Sequence, residues 1–216
     1  MSKRALIEHR PWLLASVIAA CAYYFLNDNP IGELWLFLIK GSAVGLLAVY
    51  GYQRTSGPDG GILVFALALS AAGDTVLGLS FAGGGALFLL SHIAAVVLYL
   101  RNRRASPSAS QSLLGLALLV GVPAVSYLVS RDPLIAIYSI GLGAMAAAAW
   151  TSRFPRYRVG LGAVLFVVSD WLIFSESGAI DLGDLPDLLI WPLYYAGQLM
   201  IATGVVQTLR GEHPAR

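Results

Sequence analysis

The chain has 216 residues, 57% of them hydrophobic and 12% charged, with a formal net charge of +2 and a mean hydropathy of +0.72. A soluble domain carries about 25% charged residues, so this composition excludes a water-facing surface along most of the chain. A lone cysteine, Cys21, excludes an internal disulfide framework and a cysteine-based metal cluster.

A membrane span needs about 20 predominantly apolar residues. Eight such runs follow one another, at about 11–27, 33–52, 61–80, 84–101, 111–129, 134–151, 159–175 and 188–209. Backbone groups inside lipid must bond within their own segment, so each run predicts a helix. The predicted fold class is all-α, a polytopic bundle of eight transmembrane helices forming a single domain over residues 1–216. The first run follows MSKRALIEHR and ends in YYFLNDNP, without a small-residue cleavage site, which predicts an uncleaved span. Cys21 reads as a small packing residue within it. The second run holds Lys40. The third, GILVFALALSAAGDTVLGLS, holds Asp74 as its only charge. The fourth holds Ser91 and His92 and leads into RNRRASPSAS, whose composition predicts a flexible connection. The sixth contains GLGAMAAAAW, whose small residues suit close helix contact. The seventh, VGLGAVLFVVSDWLIF, holds Ser169 and, as its only charge, Asp170. The eighth holds Tyr194, Tyr195 and Gln198. The third and seventh runs end in GD-TVLGL and SD-WLIF, and each is followed by a run with one isolated polar group. That pattern reads as a weak parallel repeat, with halves of about 1–104 and 111–216.

All but two of the 14 Lys and Arg fall on one side of an eight-span chain. They are Lys3, Arg4, Arg10, Arg54, Arg101, Arg103, Arg104, Arg153, Arg156, Arg158, Arg210 and Arg216. Opposite them lie Arg131 and the acidic Asp28, Glu33, Asp132, Glu176, Asp181, Asp184 and Asp187; only Glu8, Asp59 and Glu212 share the basic side. Cytoplasmic loops are enriched in Lys and Arg, so both termini are expected in the cytoplasm, and in a bacterial cell the expected location is the inner membrane. The basic loops read as topology signals that also touch anionic headgroups. None forms a folded basic domain, so no nucleic-acid partner is expected.

An ionisable group at membrane depth costs about 2.5–3.5 kcal/mol on insertion scales, which makes Asp74 and Asp170 the first candidates for function. With a rise of about 1.5 Å per residue, Asp74 lies about 9 Å and Asp170 about 7 Å from the outer end of its span. Lys40, His92 and Gln198 fall about 10, 12 and 15 Å deep. Five polar groups on five helices are thus expected in one layer, as one buried pocket. Blander roles exist for several of them. Lys40 fits snorkelling to the interface, His92 a core histidine bonded to a carbonyl, and Gln198 a bridge between helices. Ser91 and Ser169 fit bonding back to their own helices, and Tyr194 and Tyr195 an aromatic belt. Two carboxyls in one pocket differ in protonation state, which offers a general acid beside a general base. The same pair also fits a proton relay in a transporter or lipid flippase. There is no Gly-x-Ser-x-Gly elbow, no His-Glu-x-x-His, and no phosphate loop. Of His9, His92 and His213 only His92 falls within a span, so no metal site is expected.

The segments AAGDTVLGL (71–79), ALFLLSHIAAVVLY (86–99), GAVLFVVSDWLIF (162–174) and YYAGQLMIATG (194–204), in this order and spacing, resemble the YhhN-like family. The resemblance runs from about residue 40 to 205. Its characterised members are lysoplasmalogenases, eight-span membrane proteins. The family often carries Lys-Pro near the start of the second span, where this chain has Lys40-Gly41. The resemblance implies hydrolysis of the vinyl ether bond of a lysophospholipid, without a cofactor, in contact with membrane lipids. It assigns acid–base catalysis to Asp74 and Asp170. Lys40, His92, Ser169, Tyr195 and Gln198 would bind or orient substrate and water.

Overall fold

With no water to bond to, an apolar segment in lipid closes its own backbone hydrogen bonds, and in the computed structural model every apolar run is a helix. The structure describes residues 10–27, 29–30, 32–178 and 180–212. Lys3, Arg4, Glu8, His9, Asp28, His213, Arg216 and the side chain of Glu212 lie outside those residues. Among the described residues the helices are α1 (Pro11–Leu26), α2 (Glu33–Arg54), α3 (Gly57–Leu77), α4 (Phe81–Arg101), α5 (Ala109–Ser130), α6 (Pro133–Thr151), α7 (Leu161–Glu176) and α8 (Leu185–Glu212). A π-turn, Arg156–Gly160, leads into α7. Helices α2 to α8, counting the π-turn with α7, are long and apolar enough to cross a membrane. Helix α1 is apolar but only 16 residues long. The expected eight spans are therefore seven helices of full length and one short apolar helix. Large apolar side chains such as Leu113, Leu116, Val120, Ile137 and Ile140 are exposed on α5 and α6. Water does not tolerate so extensive an apolar surface on a monomer; lipid does. The protein is a multi-pass integral membrane protein. Cys21 is exposed on α1 and not a core residue, because it falls on a face that α2 does not cover.

The chain divides into two compact units, Met1–Ser91 and His92–Arg216, and the division falls inside α4. In the first unit α1 lies against α2 and α2 against α3. Ser16 on α1, fully buried, donates to the Ala43 carbonyl of α2 at 2.6 Å. Hydroxyls also join α3 to the first part of α4. Ser91 Oγ donates to the Ala66 carbonyl and lies 2.8 Å from Ser70 Oγ, which donates to it in turn. Ser91 thus bonds across to a neighbour and not back to its own helix. Small residues bring the two backbones close enough for a short side chain to reach, and such bonds in lipid are worth about 0.6–2 kcal/mol.

In the second unit α5 lies against α6, α7 against α8, and α7 also touches α5 and α6. The α5–α6 hairpin turns sharply for local reasons. Ser108 and Gln111 form a capping box at the start of α5. Arg131 ends it in the left-handed region, φ 58°. The Asp132 side chain then caps α6 by accepting from Leu134 N at 2.8 Å, with Pro133 in the first turn. Helices α7 and α8 cross backbone to backbone at Gly162 and Gly197: a Cβ on either glycine would lie 2.7 or 2.6 Å from the carbonyl oxygen of the other. Arg158 in the π-turn bonds to Gln207 of α8.

The first residues of the stretch expected to be a flexible connection, Asn102 to Arg104, bond to the loop after α6. Arg103 pairs with Ser152 in an isolated antiparallel bridge. Arg153 N donates to the Asn102 carbonyl at 2.8 Å, Arg153 Nε to Asn102 Oδ1 at 2.7 Å, and Arg104 N to the Thr151 carbonyl at 3.3 Å. The loops after α4 and α6 therefore share one end of this unit. Its polar side chains find more partners on the facing loop than the composition of either loop alone reveals.

Candidate active site

Residues four apart on a helix share a face, and Phe166, Asp170 and Phe174 form such a stripe on α7. His92, on the second half of α4, meets Phe166 edge to face with centroids 5.1 Å apart. Tyr138, on α6, meets Phe174 edge to face at 6.0 Å. The two polar side chains join between those rings. His92 Nε2 lies 3.0 Å from Tyr138 Oη, and Tyr138 Oη donates to Asp170 Oδ2 at 3.0 Å. A phenol has one hydrogen, and here the carboxylate receives it. With Asp170 ionised, the phenol oxygen accepts from the imidazole and Nε2 carries the hydrogen; with Asp170 protonated, the order can run the other way. His92 is 1% and Asp170 5% exposed. Three helices thus build one linear chain of ionisable groups, His92–Tyr138–Asp170, flanked by aromatic edges. His92 is not a core histidine bonded to a backbone carbonyl, since its ring nitrogen bonds a phenol.

Tyr138 was not among the candidates read from the sequence. It stands five residues inside its helix, in IAIYSIGLG, and a tyrosine in an apolar run reads as packing. The other expected residues of this unit lie on α8 or face it. Ser169 Oγ donates to the Ile190 carbonyl at 2.9 Å, so it ties α7 to α8 and does not bond back to its own helix. Helix α8 contains Pro192, which has no N–H for the turn before it. Tyr194 meets Phe166 edge to face at 5.0 Å, and Trp191 stacks on Tyr195 at 5.9 Å. Both tyrosines are buried. Gln198 is buried one turn along, its Nε2 3.5 Å from Tyr194 Oη on the same helix.

Asp74 and Lys40 belong to the first unit. Asp74 is 2% exposed on α3, one turn after Ser70. Lys40 Nζ stands over the Tyr23 ring of α1, 5.5 Å from its centroid, a cation–π geometry. Gly41 follows it where α2 meets α3 most closely. A Cβ there would come within 2.1 Å of Thr75 Oγ1 and 2.8 Å of the Ala71 carbonyl oxygen. Thr75 is the neighbour of Asp74, so the glycine beside Lys40 sets how near α2 stands to this turn. Gly41→Ala is expected to lower stability by about 1–3 kcal/mol, as other overpacked sites do. A melt of the purified protein in detergent checks this, and an unchanged midpoint would show that the two helices part without cost.

A cavity of about 250 Å³ lies beyond the end of α7, lined by Glu176, Asp181 and Asp187 among others. Glu176 stands six residues past Asp170, about 9 Å along the axis, and the cavity does not include Asp170. Among the described residues no three His, Cys, Asp or Glu side chains converge.

Comparison with known proteins places these residues in a family context. The YhhN family model matches residues 35–205, a range that takes in Lys40, Asp74, His92, Tyr138, Asp170 and Gln198. A protein of Mycobacterium bovis named lysoplasmalogenase is 30% identical over 179 residues, covering 76% of this chain and 68% of its own length. A lysoplasmalogenase of Mycobacterium tuberculosis matches with the same identity and coverage. No solved structure matches this chain.

Proposed function

We propose a function from one established premise: this chain belongs to the YhhN family. It is a lysoplasmalogenase-type hydrolase. On this reading its substrate is a lysoplasmalogen, cleaved at the vinyl ether bond to a fatty aldehyde and a glycerophospho-alcohol. The observation that carries the reading is Asp170, a carboxyl buried in a membrane-spanning helix and bonded to a phenol that is itself bonded to an imidazole. Such an arrangement moves protons without needing bulk water beside it.

The chemistry asks for little else. Protonation of the β-carbon of a vinyl ether gives an oxocarbenium ion. Water adds to that ion, and the resulting hemiacetal collapses to aldehyde and alcohol. The step needs a carboxylic acid to give the proton, an anion to steady the cation and activate water, and an apolar place for the chain. Asp74 and Asp170 are proposed as the two carboxyls. His92 and Gln198 orient water or the glyceryl oxygens, while Lys40 or a tyrosine, Tyr195 among them, meets the phosphate. Ser169 supports Asp170 by fixing α7 to α8. The topology that accompanies this reading has α1 as an eighth span and both termini in the cytoplasm, as the segregation of basic and acidic loops supports. The partners are an ether-lipid substrate and the surrounding membrane lipids.

Purified protein given a 1-alkenyl lysophospholipid is expected to release fatty aldehyde and glycerophospho-alcohol in equal amounts. The saturated-ether analogue and diacyl lipids are expected to be inert. No aldehyde from the alkenyl lipid would end the hydrolase reading and leave the relay of a transporter as the better one.

A further inference from the structure

We propose that the loops after α4 and α6 hold the phosphate of an anionic phospholipid, at the end of the second unit away from Asp170. Buried donors without acceptors mark the place. Among the described residues Arg104 Nε, Gln111 Nε2 and Tyr99 Oη are buried and have no hydrogen-bond partner. Gln111 is 3% and Tyr99 1% exposed. The guanidinium and amide nitrogens can only donate, so what they lack is an acceptor. A buried donor left unpaired is destabilising, and native folds leave few of them without a reason. All three border residues 151–154. Arg104 N donates to the Thr151 carbonyl at 3.3 Å. Gln111 stands one turn before Gly115 on the same face of α5, and a Cβ on Gly115 would lie 2.8 Å from Thr151 Cγ2. The Tyr99 ring meets the Phe154 ring edge to face, with centroids 6.1 Å apart.

The surroundings select the acceptor. The two loops and their margins carry Arg101, Arg103, Arg104, Arg153, Arg156 and Arg158 and no carboxylate. Asp132, the one carboxylate of the α5–α6 hairpin, stands at its other end, where it caps α6. A guanidinium matches a phosphate through two parallel bonds, and here the loops fix where the guanidinium groups start. Arg103 pairs with Ser152, and Arg153 Nε donates to Asn102 Oδ1. The phosphate belongs to a membrane lipid, because the site borders the apolar surface. Leu113, Leu116 and Val120 are exposed along the turns of α5 that follow Gln111, a bed for an acyl chain. The lipid is anionic, since the ammonium of a choline or ethanolamine headgroup would face the arginines. The loop after α6 leads into α7, whose Asp170 stands about 14 Å along the axis from Leu161. The few bonds of a glyceryl group do not reach so far, so this lipid is not a substrate engaged with Asp170. Its site does not depend on the reaction at the two aspartates.

The test titrates the full chain in detergent with phosphatidylglycerol, phosphatidylcholine or inorganic phosphate and follows the melting midpoint, which a ligand of the folded state raises. Phosphatidylglycerol is expected to raise it to a plateau, and the other two to leave it unchanged. Arg104→Gln removes a guanidinium. Gln111→Glu keeps the side-chain oxygen that accepts from Ser108 N but replaces a donor with a negative charge. Each is expected to raise the half-saturating phosphatidylglycerol concentration by about tenfold or more, the loss of a hydrogen bond to a charged group. Gln111→Glu carries the test if the other variant does not fold. Arg210→Gln removes the same charge from an exposed position on α8 and is expected to leave half-saturation unchanged. Equal weakening by Arg104→Gln and Arg210→Gln would show a diffuse field and overturn the site. Equal shifts with the two lipids would overturn it, as would a phosphatidylglycerol shift that both site variants retain. A shift with inorganic phosphate as large as that with phosphatidylglycerol would show a free-anion site and overturn the lipid assignment.

Discussion

Asp170→Asn is expected to lower aldehyde release on the order of 10²–10⁴-fold, the contribution of a positioned general acid, without loss of helix content. The amide has the shape of the carboxyl, and its oxygen still accepts from Tyr138 Oη, so α6 and α7 stay joined. What disappears is an acidic hydrogen that a carbon base can take. Asp74→Asn is expected to fall as far, through loss of the second carboxyl. The proposed function has both carboxyls serve one reaction, and groups that act as a unit are not additive; on that proposal the double variant is expected to match the weaker single variant and not the product of the two losses. The measurement is aldehyde release beside circular dichroism of each purified protein. An Asp170→Asn protein with near wild-type turnover would exclude proton donation by this residue.

The second large effect is expected at Gly197. Its missing Cβ would lie 2.6 Å from the Gly162 carbonyl oxygen and 3.2 Å from Phe166 N. Both neighbours are backbone and neither can rotate away, so α7 and α8 must separate. Overpacking of this kind costs about 1–3 kcal/mol. Phe166 is the residue that carries His92 on one side and Tyr194 on the other, so the shift reaches the candidate site. Gly197→Ala is therefore expected to lower both the melting midpoint in detergent and the activity. Gly61→Ala is the control, because nothing lies within 4 Å of a Cβ at that position. Equal midpoints for the two variants would show that the crossing is looser than its geometry implies.

The helices were legible because the runs are apolar and bounded by Arg, Pro and Gly, which mark where lipid ends. Every observed end lies within four residues of the run that predicted it. Asp74, His92 and Asp170 were legible for the opposite reason, since each breaks an apolar run. The facing of helices was not legible. A serine hydroxyl in a helix can reach its own preceding turn or a neighbour, and only proximity decides, so Ser91 and Ser169 were read as bonding at home. Tyr138 was missed because a phenol is half apolar, and its place between His92 and Asp170 depends on three helices that are distant in sequence. Tyr195 reads as a boundary residue from its depth alone; its stacking on Trp191 follows from spacing along α8 that depth does not convey.

The bonds between the loops after α4 and α6 have a consequence for how the chain is made. Arg104 N and the Asn102 carbonyl leave the ribosome first, and their partners, the Thr151 carbonyl and Arg153 N, follow roughly fifty residues later. At about 5–20 residues per second, the earlier groups wait several seconds with only water or headgroups for company. The bonds at the base of the α5–α6 hairpin therefore cannot form until α6 has been synthesised. The basic loop after α4 thus owes part of its bonding to a segment made only after α6 is complete.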